Sequence, residues 1–367
     1  MFYLGIDQHA KQLTLSLRND DGDVTLCRQV STEPKRFDEF FSKLRKQAGE
    51  QGYMAVIEVC GFNDWLLEAL PKYGCRDIVL IQPKKRPKVK TDRRDAGSLS
   101  ELLWINRDRI AAGQPIRGVR RVVVPSKMNA ENQRITMIRQ QVGRQRTRTT
   151  NQIKHILRRH NLQWQLPTKT FPTVKALVWL KVIKLPTWDR AEMDYHLEEF
   201  DRLTLRMKSL EETITSRGRG IEDVELLRTI PGCGYYMALA LACRIGDASR
   251  FPRGKSLAHY WGLTPGVRDS GDTKGRRGRI TKMGCSMARW LLAQVVFHVL
   301  CRDPVMRKWY KPIRNRRGSG IARTAVMRRM AVIIRNMLTE KQDYTTCRDA
   351  MSARRKKQTQ SKSRSAA

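Results

Sequence analysis

Four carboxylates in this chain stand where they could hold metal ions. Asp7 closes an apolar, strand-like segment in Gly5-Ile6-Asp7, and Glu58 closes another, just before Cys60-Gly61. Asp92 and Asp95 lie in the run KTDRRDA at 90–96, at the start of a predicted helix, where an i, i+3 spacing puts both on one face. Acids at adjoining strand ends and on a facing helix could hold two Mg2+ or Mn2+ ions about 4 Å apart. Hard divalent ions prefer oxygen ligands, and such a pair activates an attacking oxygen and stabilises a leaving oxygen in phosphodiester cleavage. Taken singly, each acid reads more simply as a turn or capping residue, and Asp92 could be the N-cap of its helix. The order Asp, Glu, Asp-x-x-Asp on these elements, in a strongly basic chain, favours the metal site.

A second constellation lies far downstream. Asp269-Ser270-Gly271 opens a stretch with Gly275, Gly278 and Gly284 among Lys274, Arg276, Arg277, Arg279 and Lys282. It reads as a mobile loop whose backbone can close on a ligand while its cations neutralise phosphate oxygens. Ser270 lies inside that stretch, and a serine hydroxyl can attack phosphorus once its proton is removed and the developing charge is stabilised. By itself Ser-Gly is far more often a turn. The base could be Asp269, a carboxylate of the metal site or a metal-bound hydroxide, and the sequence leaves all three open. Upstream, Ile230-Pro231-Gly232-Cys233-Gly234 before an apolar helix reads as a helix-hairpin-helix. There Gly232 and Gly234 would let backbone N–H groups approach a DNA phosphate, against the alternative of a plain packing turn.

These residues need positioning elements. Residues 1–110 alternate strand and helix signals: strands at Phe2–Ile6, Leu13–Arg18 and near Val24–Val30, a helix with Phe37, Phe40, Phe41 and Leu44 on one face, then strand, helix and strand. A mixed α/β sheet covered by helices is expected. Residues 111–221 read as a basic helical or coiled-coil region. From Asn132 to Trp188 there are twelve Lys or Arg and no acid. Met128, Ile135, Ile138 and Val142 suggest an apolar stripe, and Met193, Leu197, Phe200, Met207 and Ile214 a heptad-like one. A helix face without acids suits phosphate contacts through Arg139, Arg144, Arg146, Arg148 and Lys154. Residues 222–340 form a mainly α domain, and 341–367 a basic tail expected to be disordered.

The composition agrees. The 367 residues carry a net charge of +37, with 72 Lys and Arg against 35 acids. A surplus of that size calls for a polyanionic partner, although charge alone names no activity. The hydrophobic fraction of 40% suits packed domains. No run of about 18 apolar residues suggests a membrane span. The eight scattered cysteines, without a CxxC pair, read as reduced thiols, and the N-terminus lacks a signal-peptide layout. Both point to the cytosol.

Asp7 in its first-strand GID, Glu58 followed by Gly61, and KTDRRDA together resemble the RuvC-like, RNase H-like domain of the DEDD-type insertion-sequence transposases, the insertion sequence one-ten group, relatives of the pilin-gene DNA invertases. IPGCG, then GLTPxxxxSG, GxITKxG and Arg289 resemble that group's C-terminal transposase domain. The resemblance runs from residue 2 to about 340 in the expected order. It departs at Cys285, where the family pattern has Asn.

The resemblance implies a transposase-recombinase of a bacterial insertion sequence, cytoplasmic and nucleoid-associated. Asp7, Glu58, Asp92 and Asp95 would bind Mg2+, and Ser270 would form a phosphoserine link to DNA. The implied partners are donor and target duplex DNA, a structured non-coding bridge RNA, and further copies of the chain as a dimer or, in synapsis, a tetramer. Gly232, Gly234, Arg276, Arg277 and Lys282 would join the helical cations in gripping nucleic acid. Two other readings stay open: a RuvC-like nuclease or junction resolvase in which water attacks, and a non-catalytic nucleic-acid-binding protein.

Overall fold

The computed structural model describes residues 1–82, 92–117, 119, 121–270 and 273–353, without the side chains of Asp92, Arg93 and residues 267–277. The chain divides into two compact units, Met1–Val124 and Pro125–Ala367. The boundary between them falls inside the basic helical region 111–221.

The first unit opens with an antiparallel meander of β1 (Phe2–Gln8), β2 (Gln12–Arg18) and β3 (Val24–Ser31). Then come α1 (Pro34–Ala48), β4 (Tyr53–Glu58), α2 (Asp64–Ala69), β5 (Cys75–Ile81), α3 (Asp92–Ile105) and α4 (Arg107–Ala111). The sheet order is β3-β2-β1-β4-β5, with β4 parallel to both β1 and β5. Strand alternation sorts the side chains onto two faces. Leu4, Ile6, Ala55, Ile57 and Leu80 pack with Phe37, Phe41 and Leu44 of α1. Tyr3, Met54, Val56, Val79 and Ile81 pack with Leu99 and Leu103 of α3.

The second unit is mainly helical. The long helices α5 (Lys127–Arg159) and α7 (Thr187–Gly218) pack on each other, joined through α6 (Val174–Val182). After them come α8 (Glu222–Arg228), α9 (Tyr235–Ile245), α10 (Gly254–Tyr260), a hairpin of β6 (Pro265–Ser270) and β7 (Thr273–Ile280), α11 (Ser286–Arg302), α12 (Pro304–Arg317) and α13 (Ser319–Glu340). The heptad positions of α7 are all buried, with Met193, Leu197 and Phe200 against Ile153, Ile156 and Leu157 of α5. No helix among the described residues is long and apolar enough to cross a membrane.

Three expectations need correction. Only part of the stripe on α5 lies in the seam: Val142 is buried with Leu203 and Met207 of α7 and Ile135 is half-buried, but Met128 and Ile138 are exposed, whereas Asn132, Thr136 and Gln140 are buried. Polar partners explain Asn132 and Thr136, since Arg217 Nε donates to Asn132 Oδ1 at 2.7 Å and Arg244 to Thr136 Oγ1 at 3.0 Å. The glycine-rich cationic stretch is a two-stranded hairpin, because each strand finds its ladder in the other. The segment 341–367 is not disordered throughout: residues 344–353 are helical, and Tyr344 and Cys347 are buried in the core of the second unit.

Candidate active site

In the parallel pair β1/β4, Ile6 lies opposite Ile57, so the next residues in register are Asp7 and Glu58. Paired residues of neighbouring strands share a face, and alternation places Asp7 with Tyr3 and Gly5, and Glu58 with Met54 and Val56. Both acids therefore lie on the α3 face, Glu58 as the last residue of β4 and Asp7 as the last but one of β1.

Gly5 explains how α3 reaches them. A Cβ on Gly5 would stand 2.4 Å from the Ala96 carbonyl oxygen and 2.5 Å from the Ser100 nitrogen, so the helix lies directly on β1 at that point. The direction of α3 follows from its other contacts. Ser100 Oγ meets Ser16 Oγ at 2.9 Å and accepts from Arg18 Nε, and Trp104 donates to the Asp20 carbonyl. Arg18 pairs with Tyr3, at the start of β1. The first turns of α3, with Asp92 and Asp95, accordingly lie toward the Asp7 end. The Asp92 side chain is outside the described residues.

Asp7 Oδ2 is buried without a hydrogen bond, although His9 Nε2 lies 3.2 Å away at an ion-pair distance. Thr14, opposite Asp7 on β2, also keeps its Oγ1 buried and unbonded. Among the described side chains no three acids, cysteines or histidines converge tightly enough to hold a metal. A carboxylate oxygen held from water, with an imidazole as its near neighbour and a second carboxylate in register on the next strand, nevertheless suits a hard cation. These residues fit the divalent metal that a DEDD domain implies.

The sequence did not single out the residues that fix this strand end. Asn63, buried at the start of α2, donates to Gln8 Oε1 at 2.8 Å and to the Glu58 carbonyl at 3.1 Å. Its Oδ1 accepts from the Cys60 N–H at 2.6 Å, while Gln8 Nε2 donates to the Phe62 carbonyl at 3.0 Å. This buried amide pair ties the ends of β1 and β4 together beside Glu58. Asn63 as a helix-start residue was the available signal.

Ser270 belongs to the second unit. It is the last residue of β6, paired with Thr273 at the tip of the hairpin. Arg276 and Arg277 lie on β7 opposite Arg268 and Val267. The side chains of Ser270, Arg276 and Arg277 are outside the described residues. The base of the hairpin is tightly built. The Thr281 and Lys282 N–H groups donate to the carbonyls of Thr264 and Gly262. Gly262 at φ +66° and Gly284 at φ +112° leave no room for a Cβ, which would come within 2.2 Å of the Met283 oxygen and 2.1 Å of the Tyr260 oxygen. Arg289 donates at 3.0 Å to the carbonyls of both Trp261 and Gly284. Lys282 is exposed and, at φ +55°, takes a left-handed backbone in this turn.

The other residues expected at nucleic acid differ among themselves. Gly232 has φ +79°, and a Cβ there would lie 2.4 Å from that of His298, so packing demands this glycine. Gly234, at the N-cap of α9, is exposed with open space around it. Arg139 is bound inside the protein: its Nε donates to Glu211 at 3.1 Å and its guanidinium lies over the Tyr236 ring. Arg146 lies over Phe200 and Lys154 over Phe171. Arg144 and Arg148 face outward and line a shallow groove with Asn151 and His155.

Two family models match. A transposase model of the DEDD, IS110 type matches residues 4–162, and one described as the IS116/IS110/IS902 transposase family matches 224–311. The chain is 26% identical to the transposase for insertion sequence element IS1111A of Coxiella burnetii, over 79% of this chain and 78% of the relative. It is 25% identical to a probable family 20 transposase of Pseudomonas aeruginosa, over 79% and 85%. A putative transposase of Sinorhizobium fredii is 25% identical, over 79% and 73%. With paired strand-end acids in one unit and the serine hairpin in the other, each inside its matched segment, this chain is a DNA transposase of the IS110 family of DEDD transposases.

Proposed function

We propose that the chain is an insertion-sequence transposase that cleaves and rejoins DNA through a phosphoserine at Ser270, assisted by Mg2+ held by Asp7, Glu58, Asp92 and Asp95. The observation that carries this reading is the in-register placement of Asp7 and Glu58 on the face covered by α3. The sheet order β3-β2-β1-β4-β5 supports the RuvC-like assignment. When bound, the metal supplies charge that stabilises oxygens entering and leaving phosphorus.

Ser270 Oγ gives up its proton and bonds to phosphorus as one ester bond to a deoxyribose oxygen breaks, and that oxygen takes up a proton. The number of phosphoester bonds is unchanged, so rejoining needs no outside energy source. Position at a hairpin tip whose base is locked by Gly262, Gly284 and Arg289 lets Ser270 reach a strand without loss of aim. A structured RNA from the element's own end is the guide in this reading, and the +37 charge suits binding of both DNA and RNA. Oligomer formation brings one subunit's carboxylates to another's serine. An exposed apolar stripe on α6, Val174, Val178 and Val182, supports association between copies.

The test is a trap for covalent protein–DNA adducts, with element-end DNA, Mg2+ and RNA transcribed from the flanking region. Wild type is expected to give an adduct that chelation abolishes and that Ser270→Ala lacks. Cleavage without an adduct, unchanged in Ser270→Ala, would move the assignment to a RuvC-like nuclease in which water attacks.

A further inference from the structure

We infer that the α12–α13 helical hairpin is a sequence-independent binding surface for the phosphate backbone of duplex DNA, separate from the serine hairpin and from α5. From Pro304 to Thr339 the chain has ten Lys or Arg and no Asp or Glu. Helix α12 is amphipathic. Met306 is buried and Trp309 and Ile313 half-buried on one side, while Lys308, Lys311 and Arg314 are exposed on the other. Arg316 and Arg317 end the helix, and Arg323 stands exposed on α13. Among the described residues, none of these six cations has a hydrogen bond, ion pair or ring contact. Their neighbour Arg307 differs, since its Nε donates to the Leu300 carbonyl and it also caps the Cys301 carbonyl.

Local stabilisation explains only part of this. Cations in a last turn favour the helix dipole, which accounts for Arg314, Arg316 and Arg317. Lys308 and Lys311 lie too early in α12 to gain from it. Arg323 stands near the positive N-terminal end of α13, whose first turn has no acid. Six like charges without counter-charges repel one another, so their clustering fits an external polyanion. The geometry favours duplex DNA. From Lys308 to Arg317 the helix runs about 14 Å, and B-DNA carries one charge per about 1.7 Å of axis, or roughly eight phosphates over that length. A helix about 10–12 Å across also matches a major groove about 12 Å wide, whereas the A-form RNA major groove is too narrow. At the tip, Gly318 and Gly320 have no neighbour within 4 Å of a would-be Cβ, which leaves the approach open.

This rests on the reading of the chain as acting on DNA, and the experiment separates the two. The full-length protein with Lys308, Lys311, Arg314, Arg316, Arg317 and Arg323 all changed to Gln is titrated against a fluorescent DNA duplex of unrelated sequence at several salt concentrations. A second variant exchanges Lys for Arg and Arg for Lys at the same positions. Neutralisation is expected to weaken binding at least about 100-fold and to flatten the slope of log K against log[salt] by about 3–5, near 0.9 per lost phosphate contact. The charge-keeping variant should retain the wild-type slope. An unchanged slope in the neutralised variant would overturn the proposal, whatever the adduct trap shows for Ser270. A slope that flattens for a structured RNA and not for the DNA duplex would overturn it too, by giving the surface to RNA. Loss of the adduct in Ser270→Ala with a wild-type salt slope would concern the catalytic reading alone.

Discussion

Asp303 ends α11 and begins α12 with its side chain 1% exposed. Its Oδ1 accepts from the Val305 and Met306 N–H groups, and its Oδ2 from Tyr344 at 2.6 Å and Arg348 at 3.1 Å. Burial alone would raise its pKa. The bonds from Tyr344, Met306 and Arg348 outweigh that and hold the carboxyl below the ordinary range. A folded-state pKa below the unfolded one means that the ionised carboxyl stabilises the fold at neutral pH. That contribution is lost as pH falls below about 4 toward the folded value. Asp303→Ala leaves Arg348 without this buried partner and should cost about 3–5 kcal/mol in urea unfolding. Asp303→Asn keeps the cap to α12 and loses the charge, so its deficit should be present at pH 7 and shrink in acid. A deficit independent of pH would show that the charge contributes nothing. Nothing in the sequence marked this residue, because its partners lie 41 and 45 positions away.

The elements were legible to the extent that apolar spacing built them. The strand ends at Asp7 and Glu58, the aromatic face of α1 and the heptads of α7 follow patterns that a sequence displays directly. The α5 seam does not, because Asn132 and Thr136 are buried through hydrogen bonds to arginines of α7 and α9. The hairpin of β6 and β7 was hidden for another reason: glycines and arginines carry little strand preference, and pairing supplies what local propensity lacks. Docking of α3 on β1 was also invisible, yet it decides where Asp95 goes. In Gly5→Ala the new methyl meets the backbone of Ala96 and Ser100, which cannot swing aside as a side chain could. We expect a loss of about 1–3 kcal/mol and a marked loss of Mn2+ affinity by calorimetric titration, with all four carboxylates still present. Wild-type stability together with wild-type Mn2+ affinity would show that the close approach of α3 does not set the site.

At the scale of the molecule, the carboxylates proposed to hold metal lie in one unit and the serine proposed as nucleophile in the other. If subunits exchange these groups, something must hold the copies together. Helix α6 exposes Val174, Val178 and Val182 by 79%, 60% and 73%, an i, i+4, i+8 stripe that gains nothing from water. Trp164 and Trp188, on either side of it in sequence, are 83% and 85% exposed. The opposite side of α6 is occupied within the unit, with Ala176 and Leu180 fully buried. A stripe of this kind suits a two-fold contact in which the same surface meets itself. Val178→Asp with Val182→Asp would place two charges in such a contact, while leaving the folded monomer nearly as stable, since both positions already face solvent. Sedimentation velocity should find wild type as a dimer or larger and the double variant as monomer, with thermal midpoints alike. The variant should also lose the protein–DNA adduct while still binding duplex DNA at the α12–α13 hairpin. A wild-type sedimentation coefficient in the variant would show that the copies meet elsewhere.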